Sequence, residues 1–181
     1  VDLETGEPMG DGHPALQDEK FRWALGYALD LTEIKDKVYY GAGIEGDSIV
    51  PPSFPTFRWE PPEGERLTFD LEKAGQLLDE AGYALGDDGL RTMPDGSAFG
   101  SLRLFARADS EPSLKSLTFF SEWLAEIGID SKVETMEEGK LTNIILEGNY
   151  DAFEWGWYVD PDPSSMLSYF TCDQLGNWSD S

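Results

Sequence analysis

Apolar positions along the chain recur at two spacings, one helical and one strand-like, and together they predict alternating helices and strands. Asp18 stands as an N-cap before Phe21, Leu25, Ala28 and Leu29, which share one helical face. Asp30 followed by Glu33 resembles a capping box and opens a second helix that carries Ile34 and Val38 and stops at Gly41. Residues 41–66 hold Pro51, Pro52, Pro55, Pro61 and Pro62 among glycines. They predict a long ordered strap, held down by burial of Phe54, Phe57 and Trp59. Asp70 caps the next helix, with Leu71, Ala74, Leu77, Leu78 and Ala81 inward and Gly82 just past its end.

Leu102, Leu104 and Ala106 alternate with polar residues, which predicts a strand over residues 101–107. Ser110, Glu111 and Pro112 then give the cap, acid and early proline of a helix start. Its expected inner face is Leu114, Leu117, Phe120, Leu124 and Ile127, and Gly128 ends it. Ile129, Ser131, Val133 and Thr135 follow as a strand. Strand, helix and strand joined by short loops make a βαβ unit, so a parallel pair with a right-handed crossover is expected. A shorter helix (Leu141, Ile144, Ile145), a strand over 150–157 and a helix from Ser164 through Phe170 complete the α/β class.

Charge narrows the picture. Among 181 residues, 13 Lys and Arg face 36 Asp and Glu, a net charge of −23. Such a surface repels phosphate backbones and anionic lipid, so neither nucleic acid nor a membrane is an expected partner. Apolar residues make up 40 % and aromatics 13 %, which a disordered acidic tail would lack. The length suits one domain, or one lobe of something larger. No apolar run approaches the ~18 residues of a membrane span. The chain opens on Val1 without a leader and closes on Ser181 without a tail composition. Both ends read as cut, so an excised piece of a longer protein is expected.

Cysteine and histidine are scarce. Cys172, the single Cys, cannot form an internal disulfide, a CxxC pair or a Cys-rich zinc site. His13, the single His, lies in a turn-rich stretch and reads as a loop histidine. No metal and no cofactor are expected. Asp87, Asp88 and Asp95 lack the alternating acids, central Gly and final Glu of a calcium loop, and read as exposed turns.

The turn Asp160-Pro161-Asp162-Pro163 is the stronger cluster because of the strand that precedes it. Along 150–158, Phe153, Trp155 and Trp157 share one face, and Glu154, Gly156 and Tyr158 share the other. Binding crevices of α/β folds lie beyond the carboxyl ends of parallel strands, where Asp160 falls. Gly156 leaves room for a close approach. Aromatic walls around one carboxylate suit an organic ammonium. Read without that strand, Asp160 is a residue capping its own turn. Glu154 and Asp160 could also serve as the two carboxyls of a glycosidase.

Several blocks resemble the family 5 extracellular solute-binding proteins, the dipeptide, oligopeptide and nickel receptors of ABC importers. Asp18 through Phe21-Arg22-Trp23-Ala24-Leu25-Gly26-Tyr27-Ala28-Leu29-Asp30 is similar to the family's D-x-x-V-R-x-A-L-x-Y-A-I-D signature. Val38-Tyr39-Tyr40-Gly41-Ala42-Gly43 and Val50-Pro51-Pro52 are similar to the next block. Phe69 through Tyr83 resembles F-D-x-E-K-A-x-x-L-L-x-E-A-G-Y. Residues 124–130 and the segment from Trp157 to Pro163 complete the family order.

The resemblance implies a two-lobed receptor that closes on its ligand, with residues 1–181 as the inserted ligand-binding lobe and the other lobe built from N- and C-terminal parts that are missing. It implies that Asp160 pairs with a peptide's α-ammonium and that Trp157 lines the pocket, with Asp162 as the alternative register. Where some oligopeptide receptors carry an Arg for the ligand's carboxylate, this sequence has Glu154. The resemblance also implies that Cys172 is half of a disulfide whose partner lies beyond Ser181.

The expected function is capture of peptides by an extracytoplasmic receptor, periplasmic or a cell-surface lipoprotein, for delivery to ABC-transporter permease subunits. No enzymatic activity and no membrane insertion by this segment are expected. The ligand-binding residues are Asp160, Trp157, Tyr158, Trp155, Glu154 and Asp162. Oligosaccharides and then nickel follow as ligand classes; a glycoside hydrolase using Glu154 and Asp160, and an acidic docking domain, are the readings from other classes. From Leu141 to Ser181 there is no Lys or Arg, against Glu147, Asp151, Glu154, Asp160, Asp162, Asp173 and Asp180. A ligand of net positive charge is therefore expected.

Overall fold

A computed structural model describes residues 7–46, 48–62, 65–156 and 162–168, together with Thr5 and Thr171. Pro14–Gln17 forms a 3-10 turn, and α1 (Glu19–Tyr27) follows, its first turn closed by the Asp18 carboxylate on the Lys20 amide at 2.8 Å. Asp30 accepts from the Glu33 amide at 2.8 Å and starts α2 (Leu31–Glu33). The helix expected to run evenly to Gly41 instead widens into a π-helical turn over Ile34–Val38. Tyr40 and Gly41 then adopt φ of 54° and 77°, which ends it.

Asp70 caps α3 (Leu71–Glu80), and Gly82, at φ 89°, ends it as expected. Among the described residues, β1 (Leu102–Arg107), β2 (Ser131–Met136) and β3 (Ala152–Phe153) form one parallel sheet in the order β2-β1-β3. α4 (Glu111–Glu126) connects β1 to β2, and α5 (Glu138–Glu147) connects β2 to β3. A short α6 (Ser164–Ser168) stands where the last helix was expected; residues 169–170 of that expectation lie outside the described residues.

The sheet is covered on both faces. Leu102, Leu104 and Ala106 of β1 bury into the main core with Phe21 and Ala24 of α1, Leu78 of α3 and Leu117, Phe120 and Leu124 of α4. Phe105, between them in sequence, points the other way onto Leu141 and Ile145 of α5. Each such large apolar side chain contributes about 1.5–3 kcal/mol by leaving water. Nearly continuous burial along β1 is what a central parallel strand requires. None of the described helices is long and apolar enough to cross a membrane.

Three expectations change. The strand expected over 150–157 is limited, among its described residues, to Ala152–Phe153, with the Glu154 amide still donating to Phe105 O at 3.2 Å. Leu114 faces solvent, and Ser113 and Trp123 take inner positions of α4 instead. The reason is local: the Ser113 hydroxyl accepts the Arg107 amide at 3.0 Å, so α4's first turn presents a polar residue to the strand end. Phe57 and Trp59 are 60 % and 62 % exposed rather than pinning the strap, Phe54 is half-buried, and among the strap's described residues Val50 and Pro61 are the buried ones.

The amino end of the sheet is tied by one carboxylate. Asp151, 3 % exposed at its side chain, accepts from the His13 amide at 2.7 Å and from the Arg103 amide at 2.7 Å. The Arg103 guanidinium adds contacts at 3.1 and 3.0 Å and reaches Asp11 at 2.9 Å. Burial opposes ionisation of Asp151, but the Arg103 side chain and the two amides outweigh it and hold the carboxyl below its usual range. His13 Nδ1 accepts from the Ala15 amide and its Nε2 faces Phe99 O at 2.7 Å, so the loop histidine is a structural cap with Nε2 protonated.

Asp151→Ala should lower unfolding free energy by about 3 kcal/mol in urea titration, because it leaves two amides unpaired and removes the buried carboxylate from Arg103, which keeps only its contacts with Asp11. A loss under about 1 kcal/mol would show that water replaces the carboxylate. Since the folded carboxyl titrates below the unfolded one, its contribution is complete above the unfolded value of about 4 and disappears as pH falls through the folded value. Stability should therefore fall more steeply below pH ~4 in the wild type than in Asp151→Asn.

Candidate functional site

The carboxyl ends of the three parallel strands lie on one edge, and there the sequence places an arginine, a glutamate and aromatics. β1 ends on Arg107, whose amide is fixed by Ser113. Because Phe105 pairs with Phe153, the next residue of the β3 segment, Glu154, is brought beside the end of β1. Arg107 Nε and Nη2 both lie 3.4 Å from Glu154 Oε2. The pair is largely shielded, with side chains 23 % and 20 % exposed.

Trp155 turns to the opposite side and packs with Phe153 against the Phe105, Leu141 and Ile145 cluster. Its ring centroid lies 5.8 Å from the Arg107 guanidinium carbon, within cation–π range. A Cβ on Gly156 would stand 3.6 Å from Arg107 Nη2, so the backbone passes close over the guanidinium. The alternation expected for Phe153, Glu154 and Trp155 is thus observed.

Tyr39, at the end of the π-helical turn, shares the field of this pair. Burial, first, and the Glu154 charge, second, push its phenol above the usual value, while Arg107 acts the other way. Next to it, Tyr40 is exposed and holds a left-handed backbone that a bulky residue rarely adopts. Lys115, one turn into α4, is paired with Glu111 at 2.6 Å.

The structure brings together two of the expected site residues, Glu154 and Trp155. Asp162 accepts the Ser164 amide at 2.8 Å, and the Ser164 hydroxyl and then that amide hold its carboxyl below the usual range. Its described contacts are those of a residue closing the first turn of α6. Trp157, Tyr158, Asp160 and Cys172 lie outside the described residues. Among the described residues no cluster of His, Cys, Asp and Glu could hold a metal ion.

Sequence reasoning missed Arg107 and Tyr39. Arg107 is the last residue of a strand that the alternation did predict, so the carboxyl-end rule applied to β1 would have found it. Tyr39 gave no comparable signal, since its place depends on the π-helical turn.

A small parallel sheet flanked by helices on both faces is an α/β arrangement of the periplasmic-binding-protein type. Residues 4–177 match the profile of the bacterial extracellular solute-binding proteins, family 5, middle region, and the chain belongs to that family. It is 28 % identical to the dipeptide-binding protein of Escherichia coli over 91 % of its length and 29 % of that protein. Identity to heme-binding protein A of Haemophilus influenzae is 31 %, over 82 % of this chain and 25 % of that protein. The structure superposes on the oligopeptide-binding protein AppA of Bacillus subtilis, solved with a nonapeptide, with a TM-score of 0.70 and 27 % identity. That match covers 88 % of this chain and 33 % of AppA. The chain therefore spans between a quarter and a third of the length of these relatives.

The shared field around Tyr39 can be read directly. In Glu154→Gln the Tyr39 pKa should fall, and in Arg107→Gln it should rise, as followed by NMR of 13C-labelled tyrosine. Unchanged titration in both variants would mean that the three residues do not form one site.

Proposed function

We propose that residues 1–181 are a single lobe, inserted in a larger two-lobed receptor, that captures peptides outside the cytoplasm for an ABC importer. Family membership and the charged carboxyl edge support this reading, and the Arg107, Glu154 and Trp155 cluster is the observation that carries it. The lobe binds and does not catalyse. Asp160, at the end of the segment that leaves this edge, is the counter-ion for the peptide's α-ammonium. Trp157, Tyr158 and Trp155 form the walls. Closure of the second lobe over the ligand is the state that the permease subunits read, because a ligand contacting both lobes stabilises the closed form over the open one.

The ligand carries net positive charge. Two features support this: residues 141–181 hold no Lys or Arg against seven acids, of which only Asp151 and Glu154 are paired with the described arginines Arg103 and Arg107, and Arg107 at the edge is thereby already compensated. Asp162, capping α6, adds its charge without a direct contact.

In calorimetry of the full-length receptor, a lysine-containing tripeptide should bind, and Asp160→Asn should weaken it tenfold or more, as expected for loss of a charge-assisted hydrogen bond of about 1.5–3 kcal/mol. Unchanged affinity would remove Asp160 from the site, and preference for an acidic tripeptide would contradict the charge reading. The 181-residue lobe alone should bind more weakly than the whole receptor, since half the enclosure is absent.

A further inference from the structure

We infer that Glu154 is the specificity-determining residue of this edge, acting as a built-in carboxylate that occupies the Arg107 fork and turns away ligands with a free carboxylate at that position. The inference rests on the reading of the carboxyl edge as the peptide site and adds to it which end chemistry the site accepts. An arginine at a strand's carboxyl end, with Trp155 beside it and the passing backbone at Gly156, is a ready receptor for a carboxylate. Here the edge formed by Nε and Nη2 already faces Glu154 Oε2, with both distances at 3.4 Å.

These contacts are longer than a well-formed charge-assisted pair, and a single oxygen is shared by two nitrogens. Glu154 therefore neutralises Arg107 without forming the two parallel bonds of an ideal fork. A ligand carboxylate approaching the guanidinium would meet a like charge a few ångströms away in a shielded site, where screening is weak. An amide, or a peptide that continues past this point, meets no such repulsion. The backbone of Glu154 is fixed at the end of β1, its amide donating to Phe105 O at 3.2 Å. Discrimination of this kind comes from a repulsive element and not from a new attraction.

The test compares the tripeptide Ala-Lys-Ala with its C-terminal amide on the full-length receptor. Wild type should bind the amide at least as tightly as the acid. Glu154→Gln should shift the acid-to-amide affinity ratio toward the acid by about tenfold, while Glu154→Asp, which restores the charge, should return toward wild type. A purely structural Glu154 would weaken both peptides alike and leave the ratio fixed, and that result overturns the proposal. A wild type that prefers the acid tenfold overturns it as well. If wild type binds neither form, the peptide reading itself fails, and a second probe decides the fork separately. With 15N-arginine label, sodium acetate should shift the Arg107 Nε–H signal in Glu154→Gln and leave it in place in wild type. Equal shifts in both would show that Glu154 does not block the guanidinium.

Discussion

The Asp151 carboxylate, held by Arg103 and by two backbone amides, is the interaction on which the rest of the lobe depends. It joins three segments far apart in sequence: the turn at His13, the start of β1 and the entry to β3. Because β3 has only two residues, its ladder alone cannot define a register, and the clamp supplies what the ladder lacks. Leu104 then stands opposite Ala152 and Phe105 opposite Phe153. A slip of one residue would send Glu154 to the α5 side and Trp155 to the place of Glu154. The site at the carboxyl edge is thus fixed from the amino edge.

The scarce bases are placed where the fold needs them. Arg91 is buried, donating to the Ile127 and Tyr83 carbonyls and pairing with Asp79, which staples the ends of α3 and α4. Arg103 serves the clamp, and Arg107 the functional edge. Burying an arginine is tolerable only with such full partnering. The excess acids remain mostly on the surface, where they give the chain its charge without setting its fold. Within that acidic background, one arginine facing one glutamate makes the carboxyl edge locally neutral.

Much of this was legible in the sequence because it rests on local physics. Asp18, Asp30, Asp70 and Ser110 all cap the helices that their positions announce, and Gly82 turns where a left-handed residue is required. Alternation in β1 and the βαβ order gave the parallel pair with β2. Long-range partners were less visible. Asp151 reads as one acid among seven, although it is the most deeply engaged of those described, because nothing near it in sequence reveals Arg103. Arg107, by contrast, stands at the end of a strand that alternation predicts, and only its partner Glu154 is hidden by sequence distance. Phe57 and Trp59 looked like anchors by hydrophobicity alone, yet no rule of spacing governs a strap, and both face outward. Leu114 fitted the helical period, but the need to satisfy the Arg107 amide placed a serine beside the strand end instead.

The central claim is that ligand binds at the carboxyl edge of the parallel sheet. A crystal structure of the full-length receptor with its bound ligand tests it most directly. Ligand density is expected within contact distance of Trp157 and Asp160, with Arg107 and Glu154 still paired. Density lodged instead in the apolar groove between α1, α3 and the strap, lined by Trp23, Tyr27 and Trp59, with the sheet edge empty, would contradict it.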